Sequence, residues 1–237
     1  VKHRELEMAA GEMSEAEFTD FLSTVFANLA EHSADGALHF ICMDWRHMRE
    51  VLTAGHASYS EMKNLCVWAK TNGGMGTLYR SQHELVFVFK AGTGRHINNV
   101  ELGKHGRYRT NVWTYPGISS FGKDRDAELA LHPTVKPVQL VADAMLDCSK
   151  RGGIVLDAFA GSGTTLVAAE NMGRIGYGIE LDPAYCDVIV RRMAASFDLD
   201  AIQLASGKTF AEIERERYPD TGNEEDPAPG HIEAEVV

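Results

Sequence analysis

Two acids flank a glycine-rich turn, and their spacing could serve to bind a nucleoside. Asp157 closes the apolar run 154–156, and the residues Ala-Gly-Ser-Gly occupy positions 160–163. Glu180 follows 17 residues after Gly163, near the spacing at which an acid accepts hydrogen bonds from ribose hydroxyls. Glycine lets a ligand approach the backbone closely, and the N–H groups at a helix N-terminus have no intrahelical partners. We therefore expect a nucleoside-containing cofactor above this turn.

The elements that must position these residues read as a strand, a helix and a second strand. The first strand ends at Asp157, the helix spans Thr164 to Met172, and the second strand runs from Ile175 to Ile179. In α/β sheets of this kind, ligands bind at the carboxyl ends of the strands. The pattern predicts an α/β fold with its ligand site at that edge.

Two other interpretations of the turn stay open at this point. A lone Gly-Ser-Gly after a strand also occurs for backbone reasons alone. A nicotinamide dinucleotide would require the pattern G-x-G-x-x-G, and here Leu166 stands where the third small residue belongs. That substitution argues against a nicotinamide cofactor without excluding it.

Several further blocks stand in a fixed order around the turn. They are HPTVKP (132–137), VLDAFAGSGTT (155–165), GIELD (178–182) and PAYCDVIVRRM (183–193). This order resembles the C-terminal half of amino-group DNA methyltransferases in which the catalytic motif precedes the cofactor motif. The upstream blocks WAKTNGGMGTLYRSQHELVFVFKAG and RTNVWTYPG extend the resemblance over roughly residues 1–217.

The resemblance implies a fold, a reaction and a cofactor. The fold would be an α/β, Rossmann-like sheet with helices on both faces and a loop-rich insertion. The reaction would move a methyl group from S-adenosylmethionine to adenine N6 or cytosine N4 in double-stranded DNA, and restriction-modification systems use such enzymes. Adenine N6 is preferred, because WAKTNGGMGTLYRSQHE and NVWTYPG look like the adenine-specific branch.

The resemblance also implies a set of cofactor-binding residues. Lys136 would face the methionine carboxylate, Glu180 would hold the ribose, and Asp182 would lie near the adenine. The full set is His132, Thr134, Lys136, Asp157, Phe159, Gly161, Ser162, Gly163, Thr164, Thr165, Glu180 and Asp182.

The charge distribution places a basic segment in an acidic chain. The net charge is −11, and more than half of it comes from the six acids of residues 218–237, which contain no Lys or Arg. Residues 91–136 hold seven bases against four acids, a local field that can attract phosphates. Candidate DNA-contacting residues here and in the preceding glycine-rich loop are Trp68, Lys70, Tyr79, Arg80, Arg107, Arg109 and Asn111. Trp68 also reads as a core aromatic at a strand end.

The catalytic motif of the family is missing from the sequence. That motif is Asp, Asn or Ser followed by Pro-Pro and an aromatic residue, and no two prolines are adjacent here. In this family order its place is upstream of Val1, so we assign no catalytic residue and expect the motif in a longer parent protein. A non-catalytic module that binds S-adenosylmethionine and DNA is the alternative.

The remaining features bound the kind of protein. No apolar stretch reaches the roughly 18 residues that span a bilayer, and the N-terminus lacks the layout of a signal peptide, which predicts a cytoplasmic protein. The four cysteines lack metal-site spacing, so no metal is expected. A homodimer is one expected assembly.

The chain divides by pattern into four segments. We predict a catalytic half at 1–90, a target-recognition insertion at 91–131, a cofactor-binding half at 132–217 and a disordered acidic tail at 218–237. Predicted elements are a capped helix from Ser14 to Ala30, strands at 37–43, 60–67 and 84–90, and a helix from Pro183 to Ala195.

Overall fold

The computed structural model describes residues 11–74, 78–104, 108–117 and 136–218. Within these ranges the elements follow one another in the order α1 (Glu15–Glu31), β1 (Leu38–Met43), α2 (Met48–Ser58), β2 (Glu61–Ala69), β3 (His83–Lys90), β4 (Val112–Thr114), α3 (Val138–Cys148), β5 (Ile154–Asp157), α4 (Thr164–Met172), β6 (Ile175–Gly178), α5 (Pro183–Phe197) and α6 (Phe210–Arg217).

The described strands form two sheets. The larger sheet has the order β1-β3-β2-β4, in which β3 runs antiparallel to both neighbours and β2 runs parallel to β4. The smaller sheet pairs β5 with β6 in parallel, with Leu156 opposite Tyr177. Strand β4, which lies within the predicted insertion, pairs with β2 of the larger sheet.

Helix α1 covers one face of the larger sheet. Ser14 caps the helix, and the reciprocal hydrogen bonds between Ser14 and Glu17 confirm the predicted capping box. Leu22 and Phe26 are buried against Val51 of α2 and the aromatic residues of β3. Burial of such side chains stabilises the layer by roughly 1.5–3 kcal/mol each.

Helix α3 packs against both sheets from the opposite face. Leu140 and Ala144 lie in a cluster with Val86 and Trp113 of the larger sheet. Ala142 and Met145 lie in a second cluster, against Ala168 of α4 and the strand β5. The two sheets are therefore joined through helices and not through a shared strand pair in the described residues.

Most predicted elements are present, with shifted ends. The strand predicted at 37–43 is β1, and its six residues are partly buried. The predicted helix at 183–195 continues to Phe197, and β6 ends at Gly178. The division at residues 90, 131 and 217 stays a prediction, and residues 219–237 lie outside the described ranges. No described helix is both long and apolar enough to cross a membrane.

Candidate functional site

The glycine turn between β5 and α4 depends on backbone geometry that other residues adopt with strain. Gly161 and Gly163 have φ of +54° and +75°, in the left-handed region. A Cβ atom at Gly163 would lie 3.1 Å from the side chain of Ile189 on α5. The second glycine thus serves both the turn and the close packing of α5 against it.

Asp157 holds the two ends of the turn together. Its Oδ1 accepts a hydrogen bond from the backbone N–H of Phe159 at 3.0 Å, and its Oδ2 accepts one from the hydroxyl of Thr165 at 2.5 Å. Three residues of the predicted cofactor set therefore meet at the carboxyl end of β5.

Glu180 reaches back from the end of β6 to the same turn. Its Oε2 accepts a hydrogen bond from the backbone N–H of Gly161 at 2.7 Å, and its Oε1 accepts one from the N–H of Asp182 at 2.9 Å. A carboxylate oxygen can accept more than one hydrogen bond, so both oxygens can still receive hydroxyl donors. Asp182 itself is buried and caps α5 by accepting the N–H of Ala184 at 2.9 Å.

Ser162 and Thr164 point away from the open edge of the turn. Both side chains are buried, and their oxygens accept hydrogen bonds from Nη1 of Arg192 at 3.2 and 3.1 Å. Arg192, on α5, also donates to the carbonyl of Ser162. Ser162 and Thr164, both members of the predicted set, thus position the turn. Sequence reasoning missed Arg192, because no local pattern relates it to residues about thirty positions earlier.

Lys136 places a positive charge at the same edge. Its Nζ lies 3.3 Å from Oε1 of Glu84. Burial of the ammonium lowers its pKa, but the carboxylates of Glu84 and Asp157 outweigh burial, so the net shift of the pKa is upward. Lys136 therefore stays protonated beside the glycine turn. His132 and Thr134, two other members of the predicted cofactor-binding set, lie outside the described residues.

Phe159 supplies an apolar surface next to the turn. Its ring is half-exposed and lies 6.2 Å, between ring centroids, from Phe21 of α1. Together with Leu156 and Ile179 it borders a groove whose other wall is α1. The ring of Phe159 and the carboxylates of Asp157 and Glu180 thus lie at the glycine turn, near the ammonium of Lys136, and these groups fit the parts of S-adenosylmethionine.

Trp68 belongs to the core, and the partly buried Lys70 lies over its ring. The indole of Trp68 is 3% exposed, and its N–H donates to the carbonyl of Tyr115 at 3.0 Å. Nζ of Lys70 lies 4.5 Å above that ring and 3.5 Å from Oε2 of Glu84. A ring buried in this way has no accessible face on which a base could stack, so we assign Trp68 to packing.

Tyr79 and Arg80 lie at the surface of the glycine-rich loop. Tyr79 is almost fully exposed. The guanidinium of Arg80 donates to the carbonyls of Gly73 and Gly74, which ties together the two described ends of the loop. Residues 75–77 between them lie outside the described part of the chain.

The candidates near β4 make intramolecular contacts. Nε of Arg109 lies 2.9 Å from Oδ2 of Asp147 on α3, and its Nη1 donates to the Tyr115 hydroxyl at 3.1 Å. The side-chain amide of Asn111 donates to the carbonyl of Leu65 at 3.1 Å. In this structure both side chains hold β4 in place, and base contact by either stays a prediction. Arg107 lies outside the described residues.

A feature that sequence reasoning did not assign lies just after β1. Trp45 is 52% exposed, and the guanidinium carbon of Arg46 lies 5.0 Å from its ring centroid. Asp44 caps this turn by accepting the N–H of Arg46 at 2.7 Å. The sequence signal for this pair was an aromatic residue followed by a basic residue directly after a strand, because ligand sites lie at strand ends.

Metal ligands are not grouped in the described residues. No cluster of three or more His, Cys, Asp or Glu side chains that could hold a metal ion occurs in residues 11–74, 78–104, 108–117 or 136–218.

Comparisons with known sequences place the chain in a family. The profile of the family described as DNA methylase, covering N6 and N4 enzymes, matches residues 3–191. The type II methyltransferase M.ScaI of Streptomyces caespitosus is 37% identical over 90 residues, which cover 38% of this chain and 30% of that protein. M2.DpnII of Streptococcus pneumoniae is 36% identical over 104 residues, 43% of this chain and 37% of that protein. The matched regions thus span about a third of these relatives.

Solved structures share the fold. The complex of M1.HpyAVI with S-adenosylmethionine aligns with a TM-score of 0.61 at 22% identity, covering 73% of this chain and 82% of that one. The PvuII DNA methyltransferase, described as cytosine-N4-specific, aligns with a TM-score of 0.63 at 14% identity, covering 81% of this chain and 76% of that one. The shared fold is that of S-adenosylmethionine-dependent DNA methyltransferases. Because the family profile covers most of the sequence and the fold agrees, the chain belongs to the DNA methylase family.

Proposed function

We propose that this chain is part of a site-specific DNA methyltransferase that transfers a methyl group from S-adenosylmethionine to adenine N6. The observation that carries the proposal is the meeting of Asp157 and Glu180 at the glycine turn, with Lys136 near enough for the Asp157 carboxylate to help raise its pKa. Family membership supports the reaction class.

The cofactor-binding roles follow from the chemistry of these groups. The ammonium of Lys136 pairs with the methionine carboxylate, since charge-assisted hydrogen bonds are the stronger ones. The oxygens of Glu180 accept hydrogen bonds from the ribose hydroxyls while they keep those from the backbone N–H groups of Gly161 and Asp182. The half-exposed ring of Phe159 offers the apolar surface, and Asp157 keeps the turn open through Phe159 N–H and Thr165.

The reaction asks the protein mainly for positioning. When bound, S-adenosylmethionine supplies a methyl group activated on a sulfonium. Held by Lys136 and Glu180, the cofactor would supply this methyl group to the exocyclic nitrogen, the electron pair of the carbon–sulfur bond would stay on sulfur, and water would accept the proton that the nitrogen loses. Lys136 and Glu180 would hold the cofactor so that its methyl group lies in line with the attacking nitrogen, because in-line alignment of the reacting atoms lowers the barrier. The group that aligns the amine is not assigned to any residue of this sequence.

Adenine N6 is the preferred target, with cytosine N4 as the alternative. The preference rests on the adenine-like blocks WAKTNGGMGTLYRSQHE and NVWTYPG. A second candidate function is a non-catalytic module that binds the cofactor and DNA, which the lack of a Pro-Pro pair in the sequence favours. A homodimer stays a prediction.

Duplex DNA is the proposed partner, and the exposed aromatic and basic side chains support it. Tyr79 and the Trp45–Arg46 pair expose ring surface and positive charge. Ring faces stack on unpaired bases, and guanidinium groups pair with phosphates. Methyltransferases that act on a base flip it out of the duplex, and aromatic side chains stack on the flipped base.

Two measurements on one sample test the proposal. Isothermal titration with S-adenosylmethionine is followed by transfer of a tritiated methyl group to mixed-sequence duplex DNA, with digestion to nucleosides. Binding with N6-methyladenine supports the proposal, and N4-methylcytosine shifts it to the alternative target. Binding without transfer favours the non-catalytic module or a missing motif, and absence of binding overturns the cofactor site.

A further inference from the structure

The loop between β2 and β3 stands at the edge of the larger sheet that carries the proposed cofactor site. Ala69, the last residue of β2, pairs with His83, the first residue of β3, so residues 70–82 connect the two strands at that end. Glu84 follows the loop directly and contacts the ammonium of Lys136 at 3.3 Å. Groups carried by this loop are therefore placed on the side of the molecule where the target base would meet the cofactor.

Hydrogen bonds between its two sides give the loop a stem. The N–H of Lys70 donates to the carbonyl of Gln82 at 2.9 Å, and the side-chain amide of Gln82 donates to the carbonyl of Lys70 at 2.8 Å. Further along the loop, the N–H of Gly74 donates to the carbonyl of Ser81 at 2.7 Å, and Nε of Arg80 donates to the carbonyl of Gly74 at 3.0 Å. Residues directly next to this stem are held in place by it.

Leu78 and Tyr79 extend from the stem into solvent. Both residues are 84% exposed, and they precede Arg80 of the stem. A single exposed leucine is ordinary on a protein surface. A leucine and a tyrosine that stand together beside a hydrogen-bonded stem, at the edge of a ligand site, instead present an apolar projection that a partner can contact.

Positive charge surrounds this projection on the same edge. Lys70 and Arg80 belong to the stem. Arg46 follows β1, whose last residue, Met43, lies opposite Leu85 near the start of β3. Cations pair with phosphates, whereas the faces of bases are apolar and stack on side chains. An apolar projection among cations thus fits a nucleic acid better than it fits an apolar protein surface.

The proposed reaction requires that the target base leave the stack of the duplex. Unstacking costs free energy and leaves a space between the neighbouring bases. Proteins that distort DNA offset this cost with apolar side chains, leucine among them, which they insert between base steps as wedges. Leu78 has the chemistry and the exposure that such a wedge needs, and the ring of Tyr79 offers a face for stacking.

We propose that Leu78 is a wedge that enters the base stack of DNA beside the target nucleotide, with Tyr79 stacking on a neighbouring base. The inference rests on the proposed function and deepens it, because it assigns a residue that stabilises the flipped state of the DNA. Leu78 fills the space that the target base vacates and contacts neither the cofactor nor the methyl group.

Binding to a duplex with one weakened base pair tests the wedge and needs no knowledge of the recognition sequence. Two fluorescein-labelled duplexes share one mixed sequence, but one carries a central A·A mismatch in place of A·T. A mismatched base costs less to unstack, so the full chain should bind the mismatched duplex roughly fivefold more tightly by fluorescence anisotropy. Leu78→Ala should lower this preference to about onefold, and Leu78→Met should keep it, since methionine also serves as a wedge. The matched control is Leu204→Ala, at a residue 98% exposed between α5 and α6, which should keep the parental preference.

A fluorescent base reports the unstacking directly. With 2-aminopurine placed next to the mismatch, emission should rise when the full chain binds, because the loss of stacking relieves quenching of this base. Leu78→Ala should bind with little rise. An equal rise in the full chain and in Leu78→Ala would overturn the assignment of the wedge to Leu78.

The outcomes separate this inference from the proposed function. Equal affinity of the full chain for the two duplexes overturns the wedge and leaves DNA as a partner, and so does a preference that Leu78→Ala retains. Failure of the full chain to bind either duplex overturns both. Titration with S-adenosylmethionine should give the same affinity for Leu78→Ala as for the full chain. A loss of cofactor affinity in that variant would assign Leu78 to support of the cofactor site and overturn the wedge.

Discussion

The ammonium of Lys136 lies 3.3 Å from one oxygen of Glu84, and the ammonium of Lys70 lies 3.5 Å from the other. Glu84 stands at the beginning of β3. Its carboxylate holds Lys136 near the proposed cofactor site and Lys70 near the glycine-rich loop. The carboxylate links the part of the site that would bind the cofactor with the part proposed to meet DNA.

Replacing Lys136 by Met should weaken binding of S-adenosylmethionine. A hydrogen bond to a charged group contributes about 1.5–3 kcal/mol, so the dissociation constant should rise roughly ten- to hundredfold. The fold should persist, because Glu84 keeps Lys70 as a partner. Isothermal titration measures the change, with exposed Lys150→Met as the control. Equal affinities of the two variants would remove Lys136 from the cofactor site.

Replacing Glu180 by Gln should destabilise the glycine turn as well as weaken cofactor binding. The carboxylate accepts the N–H groups of Gly161 and Asp182 on different oxygens, and an amide can accept on only one side. One partly buried N–H is then unsatisfied, which costs about 1–3 kcal/mol. The midpoint of urea unfolding should fall relative to that of the control Glu170→Gln, on the exposed side of α4. Matching midpoints would contradict the role given to Glu180.

The parts of the site that sequence predicts are those with local causes. Asp157, the glycines and Thr164 to Met172 belong to one turn and helix, so their types and spacing carry the information. Glu180 could be predicted as well, because the length of the strand–helix–strand unit sets the spacing between the turn and the end of the second strand. The capping box from Ser14 to Glu17 is likewise a pattern of four consecutive residues.

The parts that sequence does not predict depend on long-range packing. Arg109 looked available for DNA, but it pairs with Asp147, 38 residues later, because α3 packs behind β4. Ser162 looked like a cofactor contact, yet it faces Arg192, 30 positions away. No spacing rule relates these residues, and only the assembled layers bring them together.

Stability should fall in mild acid because of His39. This ring is partly buried, with Ser33 Oγ and the Tyr59 hydroxyl at 2.9 and 3.0 Å, and burial lowers its pKa from 6.5 to about 4. The folded state thus binds the proton less readily than the unfolded state. The stabilisation is present above pH 6.5 and is lost as the pH falls toward 4. Between pH 7 and pH 5 the loss should be roughly 2 kcal/mol.

The pH dependence of variants isolates that contribution. Urea unfolding at the two pH values should show a smaller loss in His39→Gln than in the parent, whatever the absolute stability of the variant. His56→Gln, at an exposed position on α2, should keep the parental loss. An unchanged loss in His39→Gln would mean that other groups cause the acid sensitivity.

Trp45 should report DNA binding through its fluorescence. The chain has three tryptophans, and Trp68 and Trp113 are 3% and 6% exposed, so duplex DNA can reach mainly Trp45. Stacking of a base on the ring should quench emission, and Trp45→Phe should abolish most of the quenching whereas Trp113→Phe should not.

Arg46→Gln should weaken binding and reduce the slope of affinity against salt by about one, since one phosphate contact is lost. Exposed Arg49→Gln, one turn away, should leave that slope unchanged. Quenching that survives Trp45→Phe would place the DNA elsewhere and leave the Trp45–Arg46 pair as a surface feature of the β1 end.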